Sequence, residues 1–509
     1  MNVFRQGQFV FPCSRPSRPG ARLRRQGGKV LVMFAIVLPA LLGVVGLSFD
    51  TGLILTERRH TQHAADAAAT AAAMDLQLGK TSDEAIATAQ AWVQQELGMD
   101  DAQVTVNIPP LAGDYAGDSD AVEVLVTRNR RAYIMPILGS AAQNSYQVRA
   151  TAALEDATSP LVVVVLDPSP AETQLPVVPL VLPNPLAILG GLEVEGLGSA
   201  RIDGAVAVNC QWGGVDENNQ LAGLDYPPPF GATCTPLLPL TGLRARDIRV
   251  VGGVNNADDF RHFLPDQPSP LHANRLPTPD PLIGMPAPTV SADPTNVNST
   301  LRGGVSVLSL SVLGLGPTVR LYPGVYEWID IVLGKVVFEP GVYIIRGKHP
   351  VTGVSLGILG GQVTAEGVMF YITDSAGYDA AGGSPDGNDG ETEPAEPVLT
   401  TIPPSVIVTG ELLGSRFTPL NSPDSPFDGM LLYQRRQDRR PIVMVTQDLL
   451  GSRVMQGRIY AKWANTTLVT NGDVELSIAA GSVRILTLAT SDFTPSHPFP
   501  AAKDVYLVE

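Results

Sequence analysis

Several groups of residues have the types and spacing that chemistry needs. Asp50-Thr51-Gly52 is the triplet that supplies one half of an aspartic-protease dyad, in which two carboxylates share a proton. That mechanism needs a tight turn and a second such loop, and no second Asp-Thr/Ser-Gly occurs in the chain. Glu57, His60 and His63 recur one helical turn apart, so a helix would line up a carboxylate and two imidazoles as a metal-ligating set. Solvated side chains at a helix end are the plainer reading. Glu327, Asp330, Lys335, Glu339 and Arg346 supply acid, base and charge-neutralising groups of the kind that act on polysaccharides. Scattered singly among short strands, they read equally as solvated outward positions. The run Asp386-Gly-Asn-Asp-Gly-Glu391 offers oxygen ligands for calcium, but Gly390 occupies a ligand position of the usual loop. Residues 374–397, which hold seven acids and no base, read more simply as an acidic loop. Cys210 and Cys234 allow one disulfide if that region leaves the cytosol; otherwise they are two thiols. No Ser/His/Asp set, Cys/His pair, phosphate-cradling glycine loop or zinc-type cysteine spacing is present. The sequence therefore predicts no catalytic residue, metal or cofactor.

The elements that would position these groups are legible from hydropathy. Val30–Phe49 is an uncharged apolar run of twenty residues. At about 1.5 Å per residue it reaches ~30 Å, the hydrocarbon thickness of a bilayer. Its flanks carry charge: Arg24, Arg25 and Lys29 before it, and Asp50, Arg58 and Arg59 after it. Residues 1–29 hold seven basic residues and no acid, which predicts a cytoplasmic N-terminal arm, a signal anchor and an exported C-terminal bulk; a cleaved signal peptide, with a shorter apolar core, is the rival. An alanine-rich stretch, His63–Asp75, should prolong the membrane helix, since alanine is the best helix former. Residues 30–79 thus form one helical unit. Ala65, Ala68, Ala69 and Ala72 fall on one face, where small side chains permit close approach of a partner helix. A stiff spacer is the alternative.

Thr81 and Glu84 fit a capping box that starts a second helix, with Ile86, Trp92, Val93 and Leu97 as its apolar face and Gly98 as its stop. Period-2 segments follow at Gln103–Ile108, Ala121–Arg128 and Tyr146–Leu154, so residues 80–155 read as a small α+β unit. Leu161–Leu166 is a buried-strand run entering a Pro-rich connector, with 156–186 as its bounds. From Ala187 the texture changes to short β-branched segments broken by glycine. Pro-Gly-Val-Tyr recurs at Pro323 and Pro340, and Glu366–Thr373 echoes it. Turns at roughly 17–26 residue spacing suggest stacked coils with inward Val, Ile and Leu and glycine at corners, a parallel β-helix over residues 187–509. A β-sandwich is the rival. Insertions are expected at 255–300 and 374–397.

Composition bounds the rest. The chain has 509 residues, enough for several structural units. It holds 50 glycines and 44 prolines but only 6% aromatics, which favours turns and short strands over a helical bundle. A net charge of −15 argues against nucleic acid as a partner.

The segment from Gly27 to Asp75 resembles the N-terminus of TadG-like proteins of the Flp (tight adherence) pilus system. The features that carry the resemblance occur in order. They are Arg24–Arg25, Gly27–Gly28, an apolar helix with Leu38–Pro39, the late Asp50, Arg58–Arg59, and the Ala/Asp run Gln62–Ala69. Met33 departs from processed pilin-like relatives, which have Glu at that place after the glycine. The resemblance implies a membrane-anchored component of pilus assembly whose partners are other assembly membrane proteins and lipid. Some such proteins continue into a metal-binding von Willebrand A domain that opens D-x-S-x-S; Asp167 and Ser169 fit, Ala171 does not, and a Pro-rich stretch follows. Two other functions remain open. One is a cell-envelope adhesin contacting extracellular polysaccharide or a surface; the other is a polysaccharide-acting β-helix enzyme.

Overall fold

The computed structural model describes residues 29–131, 143–170, 190–222, 231–235, 242–288, 301–310, 317–373, 403–409, 414–446 and 454–508. Arg24, Arg25, Ala171 and the acidic loop 374–397 lie outside the described residues.

The described residues open with α1 (Lys29–Gln77), a 49-residue helix that includes Pro39. At 1.5 Å per residue it is about 74 Å long. Its first half is apolar and faces outward: Leu31, Phe34, Ile36 and Val44 are each more than 60% exposed. This is the one helix among the described residues long and apolar enough to cross a membrane. Its second half is different. Thr61, Ala64, Ala65, Ala68, Ala69, Ala72 and Ala73 are all buried at 0–1% exposure. Those positions alternate by three and four, which is one face of an α-helix.

The chain divides into two compact units. The smaller holds α1 as far as Ala68, together with residues 90–106 and 124–150. Its strands include Gln103–Asn107 and parts of Ala121–Arg131 and Gln143–Val165. All three period-2 segments are therefore strands.

The larger unit holds residues 69–89, 107–123 and 151–509. The second helix, α2 (Ser82–Ala91), starts at the expected capping box: the Thr81 amide donates to Glu84 Oε2 at 2.9 Å and the Glu84 amide to Thr81 Oγ1 at 3.4 Å. Its buried positions are Ala85 and Ala89, continued by Val93 in a following π-helical turn; Trp92, predicted on that face, is 41% exposed. The extra residue in a π turn rotates the helix face, so spacing alone mislays the aromatic.

Beyond this lies a large ladder of short parallel strands. From Leu301–Arg302 to Arg416–Phe417 each strand pairs with the third strand further along the chain. Thus Val319–Leu321 pairs with Lys335–Phe338, and that with Gln362–Ala365. Ile329, Leu356, Val406, Ile442 and Thr466 form one column of in-register partners. Tyr343, Phe370, Leu432 and Ile459 form another. The alternate residues of each strand point inward into a single apolar core, in which Ile329, Val336, Ile358 and Ile459 have no exposed surface. Burying each such side chain stabilises the fold by about 1.5–3 kcal/mol. Three parallel strands per repeat leave the corners tight. At one corner Gly361 has φ +99, and a Cβ there would lie 2.2 Å from the Gly334 carbonyl oxygen on the neighbouring repeat.

Chain order and spatial order differ. The long strand Val454–Phe493 bends through several faces, and its end does not terminate the stack. Ile478–Ala480 pairs with Val163–Val165, Val483–Thr487 with Leu192–Gly196, and Ser491–Phe493 with Ala200–Ile202. The last repeat in sequence is thus hydrogen-bonded to the first. The stretch read as a Pro-rich connector, 156–186, accordingly begins as strand, because Leu161–Val165 is a fully used rung with both neighbours in place. Part of the 255–300 insertion also joins the ladder: Phe260–His262 and Leu271–His272 both pair in parallel with Leu243–Val250. A second apolar cluster lies on the outer side of one strand column, where Leu282, Leu420, Phe427, Phe499 and Ala502 pack with Met369, Tyr371, Tyr433 and Tyr460.

Candidate functional site

The feature best placed to act is α1, and its geometry is set within each unit. In the smaller unit, Glu57 sits just past the apolar stretch and meets two arginines. Arg130 contacts its carboxylate directly, and Arg128 Nη1 lies 3.5 Å from it. Arg128 is 9% exposed and also donates from Nη2 to Asp101 at 2.6 Å. That bond is the main cause that holds the Asp101 carboxyl below the usual range. One turn later, Thr61 Oγ1 and the Tyr146 hydroxyl are 3.0 Å apart, and Gln62 Nε2 donates to the Arg149 carbonyl at 2.8 Å. In the larger unit, Asp75 accepts from Lys80 at 2.7 Å and from Thr88 at 2.5 Å, while Gln77 donates to the Lys503 carbonyl. The helix is thereby tied down along its second half and left uncovered along its first.

The predicted site residues fall as follows. Ala65, Ala68, Ala69 and Ala72 share one face as expected and are each at 0% exposure within this single chain. The face offered to a partner helix is already covered by the chain itself. Asp50 is buried inside a continuous helix rather than in a turn, so it lacks the loop that a proton-sharing aspartate pair requires. Arg58 and Arg59 are exposed, as are His60 and His63. Glu57, the third member of the metal trio, faces arginines instead. Among the described residues no group of three His, Cys, Asp or Glu side chains is placed to hold a metal. Cys210 and Cys234 are both buried free thiols, the second of the two states that the sequence left open. Burial pushes Cys210 up to about 12 and Cys234 well above its ordinary value. Asp167 caps its own strand end, accepting from the Ser169 amide at 2.9 Å. The charged residues of the strand region are partly paired: Arg346 holds Glu327 at 2.6 Å, and Arg320 holds Glu339. Burial raises the Asp330 carboxyl, opposed by His349.

Several charged groups were not visible from spacing. Arg484 and Glu193 form an ion pair in which both side chains are 2% exposed, with Glu195 3.7 Å from Arg484 Nε. Asp280 accepts from the Tyr460 hydroxyl at 2.6 Å and lies 3.4 Å from Lys462; Arg436 donates to the Tyr460 hydroxyl and to the carbonyls of Leu282 and Met285. This cluster clamps the 280–285 segment onto the ladder. Sequence reasoning had no signal for these pairs. Arg128 and Arg130 were within reach of it, because a period-2 strand puts both on one face.

No curated protein and no solved structure matches the chain. Residues 28–75, the apolar half of α1 together with its alanine face, match the family model described as "Putative Flp pilus-assembly TadE/G-like", so that this N-terminal segment is similar to the TadE/G-like proteins.

Proposed function

We propose that this chain is a single-pass, membrane-anchored component of a Flp/Tad-type pilus assembly or secretion system that works through protein–protein contacts and carries no enzymatic activity. The observation that carries the reading is the division of α1: an outward-facing apolar half of bilayer length, followed at once by a half whose buried face belongs to the rest of the chain. The basic arm stays in the cytoplasm and everything after Arg59 is exported, by the excess of Arg and Lys before the helix. The parallel ladder is a β-helix, in which three strands per turn present long flat faces to partners. The partners are other assembly proteins of the same membrane.

A reporter fused after Asp75 tests the topology. A reporter that needs the oxidising side of the membrane should be active, and one that needs the cytosol inactive; the opposite pair of results would overturn the orientation and with it the function. Co-isolation of the full chain with pilus-assembly membrane proteins tests the contacts, and recovery with none of them would remove that part of the reading.

A further inference from the structure

At one outer face of the ladder, arginines stand on successive rungs. Asp492 is in register with Arg201, Arg201 with Arg244, and Arg244 with Arg261. Neighbouring parallel strands lie about 4.8 Å apart, so three guanidinium stems stack in one column. Like charges at that spacing repel unless something neutral or negative lies between them. Two of the arginines in this region are answered. Arg201 pairs with Asp492 at 2.9 Å and Arg246 with Asp203 at 2.5 Å; both guanidiniums also sit over the Phe263 ring, 5.1 and 5.3 Å from its centre. Arg244 and Arg261 are not. Among the described residues neither has a carboxylate partner, and the one side-chain bond of Arg261 is from Nε to the Asp258 carbonyl at 3.2 Å. This is unusual in a chain of net charge −15.

Arg244 and Arg261 line the same open cleft of about 620 Å3, together with His262, Gln267, Asp258 and Asp266. That volume suits a small ligand or one or two units of a polymer. His262 Nδ1 lies 3.0 Å from the Leu264 amide and 3.3 Å from the Leu264 carbonyl, so that local backbone occupies this ring nitrogen. The two acids of the lining, Asp258 and Asp266, form no ion pair with either arginine, which leaves both forks without a carboxylate partner among the described residues. A planar fork matches an oxyanion bidentately.

We propose that this cleft binds an oxyanion between the guanidiniums of Arg244 and Arg261: the phosphate, sulfate or carboxylate group of an acidic ligand. The source is a free anion or the charged group of an acidic polysaccharide. The site lies wholly in the larger unit and does not rest on the membrane or pilus reading.

The test uses the full chain in a non-ionic detergent, whose headgroups carry no phosphate. Binding of inorganic phosphate and sulfate is measured by calorimetry, alongside polygalacturonate and the neutral polymer dextran. Binding should weaken as sodium chloride is added. The variant Arg244→Gln/Arg261→Gln should bind at least roughly tenfold more weakly, and Arg275→Gln, an exposed arginine outside the cleft, should bind as the wild type does. If the double variant does not fold, Arg261→Gln alone serves, because that side chain is exposed. Binding of the inorganic anions identifies a free-anion site, and binding of polygalacturonate alone identifies a polymer site; either supports the proposal. Binding by neither, or equal binding by wild type and the arginine variants, overturns it.

Discussion

Arg484→Met should cost the ladder about 3–5 kcal/mol. Arg484 and Glu193 are each 2% exposed, and the rungs that carry them are hydrogen-bonded neighbours. Arg484 Nε donates to Glu193, and Nη2 touches the same carboxylate. At an effective dielectric constant near 20, opposite charges about 4 Å apart attract by about 4 kcal/mol. Methionine keeps the apolar stem but removes the charge. Glu193 would then keep the Gly190 amide, which donates to it at 3.2 Å, and would face Glu195 without a cation between them. A buried carboxylate left in that state is what makes breaking such a pair expensive. The second variant, Arg484→Met/Glu193→Gln, removes the orphaned charge and keeps an acceptor for Gly190. It should recover most of the loss and stand within about 1–2 kcal/mol of wild type. Urea unfolding of the full chain in non-ionic detergent, followed by far-ultraviolet circular dichroism and tryptophan fluorescence, gives the midpoints. If the single and double variants lose the same amount, the two side chains are not coupled and the argument from burial fails.

Three further outcomes are expected. Ala68→Leu and Ala72→Leu place larger side chains on a face with no exposed surface, so each should destabilise the chain by about 1–3 kcal/mol, seen as a lower unfolding midpoint; unchanged midpoints would show that this face is open. Gly361→Ala combines a left-handed backbone with a 2.2 Å approach to a carbonyl oxygen and should cost about 2–4 kcal/mol by the same assay, whereas a neutral result would contradict the tight corner. Burial, helped by Arg458, lowers the His497 imidazole below its ordinary 6.5; a base depressed in the folded state contributes fully above 6.5 and loses its contribution as pH falls below it, because the unfolded chain then binds the extra proton. His497→Gln should therefore flatten the fall in midpoint as pH drops below about 6.5, and identical slopes in the two proteins would show that His497 does not contribute.

What the sequence determined by itself is what local signals carry. The uncharged run Val30–Phe49 and the alanines after it demanded one long helix, since each residue's preference is satisfied within a turn or two of itself. Thr81 and Glu84 meet across three positions, so the capping box and the start of α2 were legible. Strand alternation at 103–108, 121–128 and 146–154 was equally local, as was the run of repeats with glycine at corners. The tertiary structure decided everything that needed distant chain to meet. The repeated Pro-Gly-Val-Tyr does not stack glycine on glycine: Gly324 lies opposite Tyr343, and Gly341 opposite Val368. Corner lengths and the pleat fix register, and a motif copied in sequence need not be copied in height. The alanine face was plain in the pattern, but which surface covers it was not, because a small-residue stripe fits a sister helix as well as the chain's own strands. Arg484 meets Glu193 across 291 positions, and Arg244 meets Arg261 only because two parallel rungs come into register. Charge on a single outward position looks solvated in sequence. Its neighbours one rung above and below decide whether it is paired, buried or left facing an open cleft.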